Sequence, residues 1–218
     1  MTIVSLRGTH GSGKSSVVKA ILGKYPSWEI MGRSKAGRPR PEGYAVKLPT
    51  GWLYVRGPYH TACGGCDAIQ PYADIWPQIE DRMDVGVEFP QGTFELEADH
   101  VVTFSHCLFE GALVSSGYGN LGRATEKYGD DVVFAFLDTP LHICLERIAA
   151  RRAKRWAEQG KPGEPPPVNP DNTTSKHVMV EKSIKQIAAL GRRTVIIDYR
   201  KPVQQVMKLF GVTLRKEP

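Results

Sequence analysis

The sequence lacks the features that would place it in a membrane, a secretory or a disulfide-rich class. No apolar run reaches the roughly 18 residues that span a bilayer. Residues 1–6 show no charged region, long apolar core and cleavage site of a signal peptide. The four cysteines, Cys63, Cys66, Cys107 and Cys144, are too few for a disulfide scaffold in 218 residues. We therefore expect reduced thiols, a cytoplasmic location and no membrane partner.

Two further absences concern the organisation of the chain. The sequence has no internal repeat and no composition break between two core-sized parts, so residues 1–218 are predicted to form a single domain. The net charge is +6 and the pI about 9.1. Basic side chains cluster at 33–40 and again at 147–155. Each cluster is either a solvated basic surface or a binding site for phosphate or nucleic acid.

Residues 8–15 form the most specific motif of the chain. They match G-x-x-x-x-G-K-S, with a β-branched strand pattern before them and helical spacing after them. Backbone N–H groups can wrap a phosphate only where glycines permit the turns, and the following helix N-terminus adds partial positive charge. Lys14 adds a point charge for the β- and γ-phosphates and is also predicted to be catalytic. The predicted nucleotide-binding residues are Gly8, Thr9, His10, Gly11, Ser12, Gly13, Lys14, Ser15 and Ser16.

Hydrophobic periodicity predicts strands that alternate with helices. Strands are predicted at 2–6, 28–31, 44–48, 52–56, 106–110, 132–138 and 194–198, and helices at 15–22, 75–83, 119–128, after Pro140, 175–190 and 202–210. Five prolines between 160 and 172 exclude regular structure there, and 84–98 is ambiguous. The prediction is an α/β P-loop NTPase three-layer fold with a mostly parallel five-stranded sheet. A β-hairpin insertion falls within about 32–105, and an arginine-bearing lid within about 147–174.

A phosphate loop of this kind needs a metal-holding acid on a neighbouring strand. Ser15 supplies a hydroxyl ligand for Mg²⁺, and Glu110 ends a short apolar run in the manner of a Walker B acid. The alternative for Glu110 is a solvated glutamate at a strand end. Asp138 ends another strand, and the Thr-Pro that follows it favours a helix-entry role.

A basic helix follows the strand at 132–138. Arg147, Arg151 and Arg155 are spaced by four, so they share one helical face, and Arg152 lies beside them. Guanidinium groups on a movable segment can neutralise a transferred phosphoryl group and exclude water. The alternative is a basic helix that faces solvent.

The same region resembles a known family. Phe136-Leu-Asp-Thr-Pro140, with Glu146-Arg147-Ile148 and Arg151-Arg152, is similar to the lid entry of nucleoside and nucleotide monophosphate kinases. The resemblance implies that Arg147 and Arg151 act on phosphates, with Arg152 as a further candidate. It also implies that ATP with Mg²⁺ is used. Between 32 and 105 the sequence departs from those enzymes, because no acceptor-base pocket is recognisable there.

A closer resemblance is to small bacteriophage-type P-loop proteins. These carry a Gly-Gly-x-Asp turn and a Phe-Glu-Gly strand end, found here as Gly64-Gly-Cys-Asp67 and Phe109-Glu-Gly111. Some relatives resemble kinases that phosphorylate 5-hydroxymethyluracil in phage DNA. The resemblance implies DNA as a partner and, for a viral protein, the host cytoplasm as its location.

The acceptor side of such a reaction needs a group that orients or deprotonates a hydroxyl. Asp67 is the leading candidate, because two glycines before it would let a substrate approach. Its alternative role is that of a turn residue. Asp74 and Asp81 are weaker candidates.

Other residues of the middle segment could bind zinc or a nucleobase, but an ordinary structural role is favoured for each. Cys63 and Cys66 suggest zinc weakly, because no second C-x-x-C exists. Aromatic side chains could stack on a base, although a place in the hairpin core is the favoured interpretation for each; these are Trp52, Tyr54, Tyr59 and Tyr72.

Three functions remain open on the sequence. The first is an ATP-dependent kinase acting on a hydroxyl of a modified base in DNA, and the second a kinase of a free nucleoside or nucleotide. The third is a nucleotide-dependent switch or binding module. The arginine helix and the lack of an N-K-x-D motif favour the kinases.

Overall fold

The fold is built around one large sheet. The computed structural model describes residues 1–33, 39–60, 64–68, 75–90, 93, 100–111 and 122–214. The strands are β1 (Thr2–Arg7), β2 (Ser27–Arg33), β3 (Pro39–Leu48), β4 (Gly51–Arg56), β5 (Val87–Phe89), β6 (His100–Val102), β7 (His106–Glu110), β8 (Val132–Asp138) and β9 (Thr194–Asp198). Seven of them form the main sheet in the order β2-β3-β4-β7-β1-β8-β9, while β5 and β6 pair by themselves.

The sheet differs from the predicted one in its strand count. Strands β4, β7, β1, β8 and β9 run parallel, whereas β2, β3 and β4 pair antiparallel. The predicted hairpin is therefore β3-β4, and it extends the main sheet because Leu53 of β4 stands beside His106 of β7. The α/β class and the mostly parallel sheet are confirmed, with seven strands in place of five.

Helices cover both faces of the sheet. They are α1 (Lys14–Lys24), α2 (Ile75–Val85), α3 (Gly122–Tyr128), α4 (Leu141–Glu158), α5 (Pro170–Ala189) and α6 (Pro202–Leu209). One apolar core joins the sheet to α2 and α5, and the other joins it to α1 and α6. Because side chains of a strand alternate between faces, the central strands β1, β7 and β8 contribute to both cores. Within the described ranges, none of the helices combines the length and apolar character that a membrane span requires.

Two helix boundaries correct the predictions. The exclusion of regular structure over 160–172 is wrong at its end, because α5 begins at Pro170. Proline is tolerated in the first helical turn, where its missing N–H has no partner in any case. Asn169 caps this helix by accepting a hydrogen bond from the Asp171 backbone N–H at 2.8 Å. Asp138 has no capping role at α4, whose N-cap is Pro140 with no side-chain hydrogen bond.

A buried arginine ties α5 to the sheet beneath the phosphate loop. Arg7, the last residue of β1, is fully buried. Its guanidinium donates hydrogen bonds to Ser5 Oγ and Ser183 Oγ, both at 3.1 Å. The same group lies 4.9 Å from the centroid of the Phe134 ring. These contacts hold the helix that carries Lys176 and His177 at the carboxyl end of β1.

Candidate active site

The phosphate loop lies between β1 and α1 at the carboxyl end of the sheet, where α/β proteins bind ligands. Lys14 folds back over the loop, and its ammonium donates to the carbonyls of Gly8 at 2.7 Å and Thr9 at 3.2 Å. Gly11 has a φ of 79° and lies against the backbone carbonyl of Cys144, so a side chain there would collide with α4. The loop and the first turn of α4 therefore pack as one unit.

Lys14 is a buried charge between two carboxylates. Burial lowers its pKa, whereas Glu110 and then Asp67 raise it. The side chain is only 6% exposed. A bound polyphosphate would add negative charge at this ammonium and favour its protonated form.

Glu110 connects the loop to the neighbouring strand. Its β7 strand runs parallel to β1, with Glu110 beside Leu6, and its carboxylate accepts a hydrogen bond from Ser15 Oγ at 2.7 Å. Burial raises the pKa of this carboxyl, while Lys14 lowers it. A buried carboxylate beside a serine hydroxyl offers the hard oxygen ligands that Mg²⁺ prefers.

The arginine helix α4 also contacts the loop through a side chain. Arg147 donates to the carbonyl of Ser12 at 3.0 Å, and Thr139 Oγ1 donates to the same oxygen at 3.0 Å. Arg151, one turn further, faces the same cavity. Arg152 points elsewhere, because it donates to the carbonyls of Pro166 and Pro167.

The Gly64–Asp67 turn stands opposite the loop. Gly65 has a φ of 79°, and a Cβ there would lie 2.5 Å from a carboxylate oxygen of Glu110. Only glycine fits this close approach. The turn ends in a short 3₁₀ segment, Cys66–Ala68, which leaves Asp67 exposed to the cavity.

A cavity of about 940 Å³ gathers these groups. Its lining includes Lys14, Ser15, Asp67 and Glu110 together with Arg147 and Arg151, and it takes in the loop from His10 to Ser16. We call the loop with Arg147 and Arg151 the donor wall, and the Gly64–Asp67 turn the acceptor wall. Gly8 and Thr9 belong to the loop but do not line the cavity. Thr9 Oγ1 is hydrogen-bonded to His177 Nδ1 at 2.9 Å.

Comparison with known proteins also indicates a kinase. No family model matches the chain. A protein of Pseudomonas phage PaMx11 named 5-hmdU DNA kinase is 32% identical over 201 residues, which is 90% of each chain. A second protein of that name, from Pseudomonas phage M6, is 29% identical over 178 residues, covering 81% of this chain and 80% of its own.

The chain belongs to the 5-hmdU DNA kinase family. It is therefore a kinase, an enzyme that transfers a phosphoryl group from a nucleotide donor. Among solved structures, a gluconokinase from Sinorhizobium meliloti 1021 aligns with a TM-score of 0.42 and 15% identity, over 96% of this chain and 89% of that one.

Sequence reasoning missed part of the cavity of this kinase. The missed lining residues are Val17, Lys19, Lys176, Tyr199, Pro202 and Val203. Tyr199 and Pro202 follow the carboxyl end of β9, so the rule that parallel strands present ligand sites at that end could have found them. Lys176 carries no such signal, because only the packing of α5 brings it to the loop.

Several weaker candidates lie outside the cavity. Tyr54 and Tyr59 are buried in the core, and Trp52 packs on Trp28 with 5.5 Å between ring centroids. These positions confirm the core interpretation of the hairpin aromatics. Asp81 is exposed on α2 beside Arg82, at 3.6 Å. Asp74 and Tyr72 lie outside the described residues.

The cysteines that the structure describes are buried and free. Cys66, Cys107 and Cys144 form no disulfide, and burial raises the pKa of each thiol. Cys63 lies outside the described residues. Among the residues that the structure does describe, no cluster of three or more His, Cys, Asp or Glu side chains could hold a metal.

Proposed function

We propose that this kinase transfers the γ-phosphoryl group of ATP to a hydroxyl of a 5-hydroxymethyluracil-type base in DNA. The observation that carries the proposal is the single cavity in which the phosphate loop, Glu110, Asp67, Arg147 and Arg151 converge. The acceptor is suggested by the name of the two phage relatives. A free nucleoside or nucleotide is the alternative acceptor, and a nucleotide-dependent switch is the non-catalytic alternative.

The donor wall suits a nucleoside triphosphate. Backbone N–H groups of the loop and the Lys14 ammonium would hold the β- and γ-phosphates, with Arg147 and Arg151 beside the transferred group. Tyr199, Pro202 and Val203 form an apolar flank of the same cavity, against which a nucleobase can rest. The Arg147 guanidinium already lies 5.9 Å from the centroid of the Tyr199 ring.

Ser15 and Glu110 fit a magnesium ion. Mg²⁺ is usually held by one or two carboxylates together with substrate phosphates and water, so the lack of a larger acidic cluster among the described residues agrees with this ion. When bound, the ion would neutralise charge on the β- and γ-oxygens. Glu110 must be ionised to serve; burial raises its pKa and opposes that form, whereas Lys14 and a bound cation would favour it.

Asp67 would act on the acceptor. Its carboxylate would accept the proton of the attacking hydroxyl as that oxygen bonds to the γ-phosphorus. The bond from that phosphorus to the β–γ bridging oxygen breaks, and the nucleoside diphosphate leaves. A nucleotide unstacked from its strand would bring the hydroxyl of its base to this cavity.

We also propose the organisation and location of the enzyme. The chain would act as one catalytic domain, with an insertion at about 32–105 and a lid at about 147–174. Its place of action would be the host cytoplasm, because its named relatives are phage proteins.

A label-transfer experiment tests the proposal. The protein is incubated with γ-labelled ATP and one of three acceptors: DNA containing hydroxymethyluracil, the same DNA with thymine, or a panel of nucleosides and nucleotides. We expect label only on the modified DNA. Label only on free nucleosides would select the alternative acceptor. Nucleotide binding without any transfer would select the switch.

A further inference from the structure

A second groove lies on the arginine helix α4, outside the active-site cavity. It has a volume of about 350 Å³ and lies where the proline-rich segment 162–167 folds back onto α4. Arg151, Arg155 and Trp156 line it from the helix, and Pro166 lines it from the returning segment. We call it the lid groove.

Side-chain hydrogen bonds fix the walls of the lid groove. Arg152 donates to the carbonyls of Pro166 at 3.0 Å and Pro167 at 2.7 Å. The indole N–H of Trp156 donates to the carbonyls of Pro162 at 3.3 Å and Gly163 at 3.1 Å. These bonds hold the proline-rich segment as a wall and set the orientation of the indole ring.

The charge of the lid groove has one sign. Arg151, Arg152 and Arg155 line it, and none of its described lining residues is acidic. The nearby carboxylate of Glu158 lies 3.8 Å from Lys154, and neither of these two residues lines the groove. A cationic groove with an aromatic side chain suits the phosphate backbone and bases of a nucleic acid.

Arg151 joins the lid groove to the active site, because the same side chain lines both cavities. We propose that the lid groove binds single-stranded nucleic acid next to the acceptor nucleotide. Backbone phosphates contact Arg151 and Arg155, and a base stacks on Trp156. The proposal rests on the proposed function, in which the acceptor nucleotide belongs to a DNA strand.

The size of the groove favours one strand over a duplex. A volume of about 350 Å³ is at the small end of ligand sites, which span about 300–1,000 Å³. Such a space admits a nucleotide unit, whereas a duplex hides its base faces inside the stack. Stacking on an aromatic side chain needs an exposed base and tolerates any sequence.

Fluorescence anisotropy with a labelled oligothymidylate, at several salt concentrations and without ATP, tests the lid groove. We expect Arg155→Ala to weaken binding about tenfold and to reduce the slope of log K against log[salt] by about 0.7, the value for one lost phosphate contact on a single strand. Trp156→Ala should also weaken binding about tenfold, since the loss of base stacking on an aromatic ring lowers affinity from about fivefold to more than a hundredfold, but with an unchanged slope. Trp156→Phe keeps an aromatic ring for stacking but loses the hydrogen bonds to Pro162 and Gly163, so it should restore part of the affinity.

Lys154→Ala is the matched control. It removes one positive charge from the same helix, outside the groove, and should leave affinity and slope near wild type. Equal effects of Lys154→Ala and Arg155→Ala would overturn the proposal, because binding would then follow only the net charge of the helix. Full affinity in both Arg155→Ala and Trp156→Ala would overturn it as well.

The binding assay separates this proposal from the proposed function. It needs neither ATP nor a modified base. Loss of affinity in the groove variants, with no label transferred by wild-type protein to any DNA, would support the groove and refute the DNA kinase reaction. Transfer by wild-type protein to modified DNA, with unchanged affinity in both groove variants, would support the reaction and refute the groove.

Discussion

The donor wall and the acceptor wall of the active site are built in different ways. The loop of the donor wall is one stretch of consecutive residues between β1 and α1, and its Ser12 carbonyl accepts hydrogen bonds from Thr139 and Arg147. The acceptor wall is a short turn after β4, placed by the close approach of Gly65 to Glu110. Glu110 contacts both, since its carboxylate also accepts the hydrogen bond from Ser15.

This difference shows how much of each wall depends on distant residues. The backbone of the donor wall is determined by its own glycines and by the helix that follows, so the motif carries its geometry with it. The acceptor wall carries only the short Gly-Gly-x-Asp turn, and its position depends on strand pairing between β4 and β7. Four experiments separate the two walls, and a fifth tests the pH dependence that follows from the last of them.

The largest effect is expected for Lys14→Ala in the donor wall. The change removes the ammonium that would hold the phosphates and also breaks its bonds to the Gly8 and Thr9 carbonyls. We expect kcat/KM for label transfer to fall by at least about a thousandfold, since one preorganised donor alone is worth about 10²–10³. Lys24→Ala, at the far end of α1, is the control and should retain activity. Full activity of Lys14→Ala would contradict every kinase mechanism based on this loop.

Asp67→Asn should reduce catalysis through the acceptor wall. We expect kcat to fall about a hundredfold, the lower end for loss of a general base, with nucleotide affinity nearly unchanged. Nucleotide binding measured by calorimetry and transfer measured with labelled ATP give the two readouts. Asp81→Asn, which removes a carboxylate outside the cavity, is the control. Normal kcat in Asp67→Asn would remove Asp67 from the mechanism.

Gly65→Ala tests the contact between the acceptor wall and Glu110. A Cβ at this position would lie 2.5 Å from the Glu110 carboxylate and 2.6 Å from its backbone oxygen. We expect the free energy of unfolding to fall by about 2–3 kcal/mol from strain and overlap, as measured by urea denaturation. Gly160 has a φ of 63° and open space around it. In Gly160→Ala, backbone strain alone should lower the free energy of unfolding by about 1 kcal/mol. Equal losses in both variants would show that the contact with Glu110 has no effect.

The smallest effect is an electrostatic one across the cavity. Burial and then Lys14 lower the pKa of His10 in the donor wall, whereas Asp67 in the acceptor wall raises it. In Asp67→Asn, the pKa of His10 should therefore fall further, as followed by NMR titration of the imidazole. Asp81→Asn should leave it unchanged. A His10 pKa that does not respond to Asp67→Asn would show that the two walls do not face each other.

The sign of the same shift predicts a pH dependence of stability. Because the pKa of His10 is lowered in the folded protein, the unfolded chain binds its proton at higher pH. His10 is therefore neutral in both states above about pH 6.5, the ordinary pKa of histidine, and its protonation costs no stability there. Stability should decline as the pH falls from there through the lower folded pKa. The free energy of unfolding of His10→Gln, measured by urea denaturation without nucleotide, should decline less over that interval.

The fold could be predicted from the sequence where the pattern is local. The apolar runs at 132–138 and 194–198 became β8 and β9 with those bounds. The hairpin at 44–56 was also predicted, but its membership in the main sheet was not, because pairing between β4 and β7 joins residues that are far apart in the chain. The start of α5 at Pro170 was missed because the five prolines between 160 and 172 were taken together to exclude regular structure, although a proline fits the first turn of a helix.

For the site, the sequence by itself determined the residue types that handle phosphate: the loop from Gly8 to Ser16, a carboxylate at Glu110 and arginines four apart on one helix. Such features are encoded over a few consecutive residues or a single helical period. Only the tertiary structure decided which of them meet. It turned Arg147 and Arg151 into the cavity and Arg152 toward the proline-rich segment, and it brought Lys176 and Tyr199 beside the loop. The reason is physical, because the packing of α4 and α5 on the sheet sets these directions and depends on the whole core.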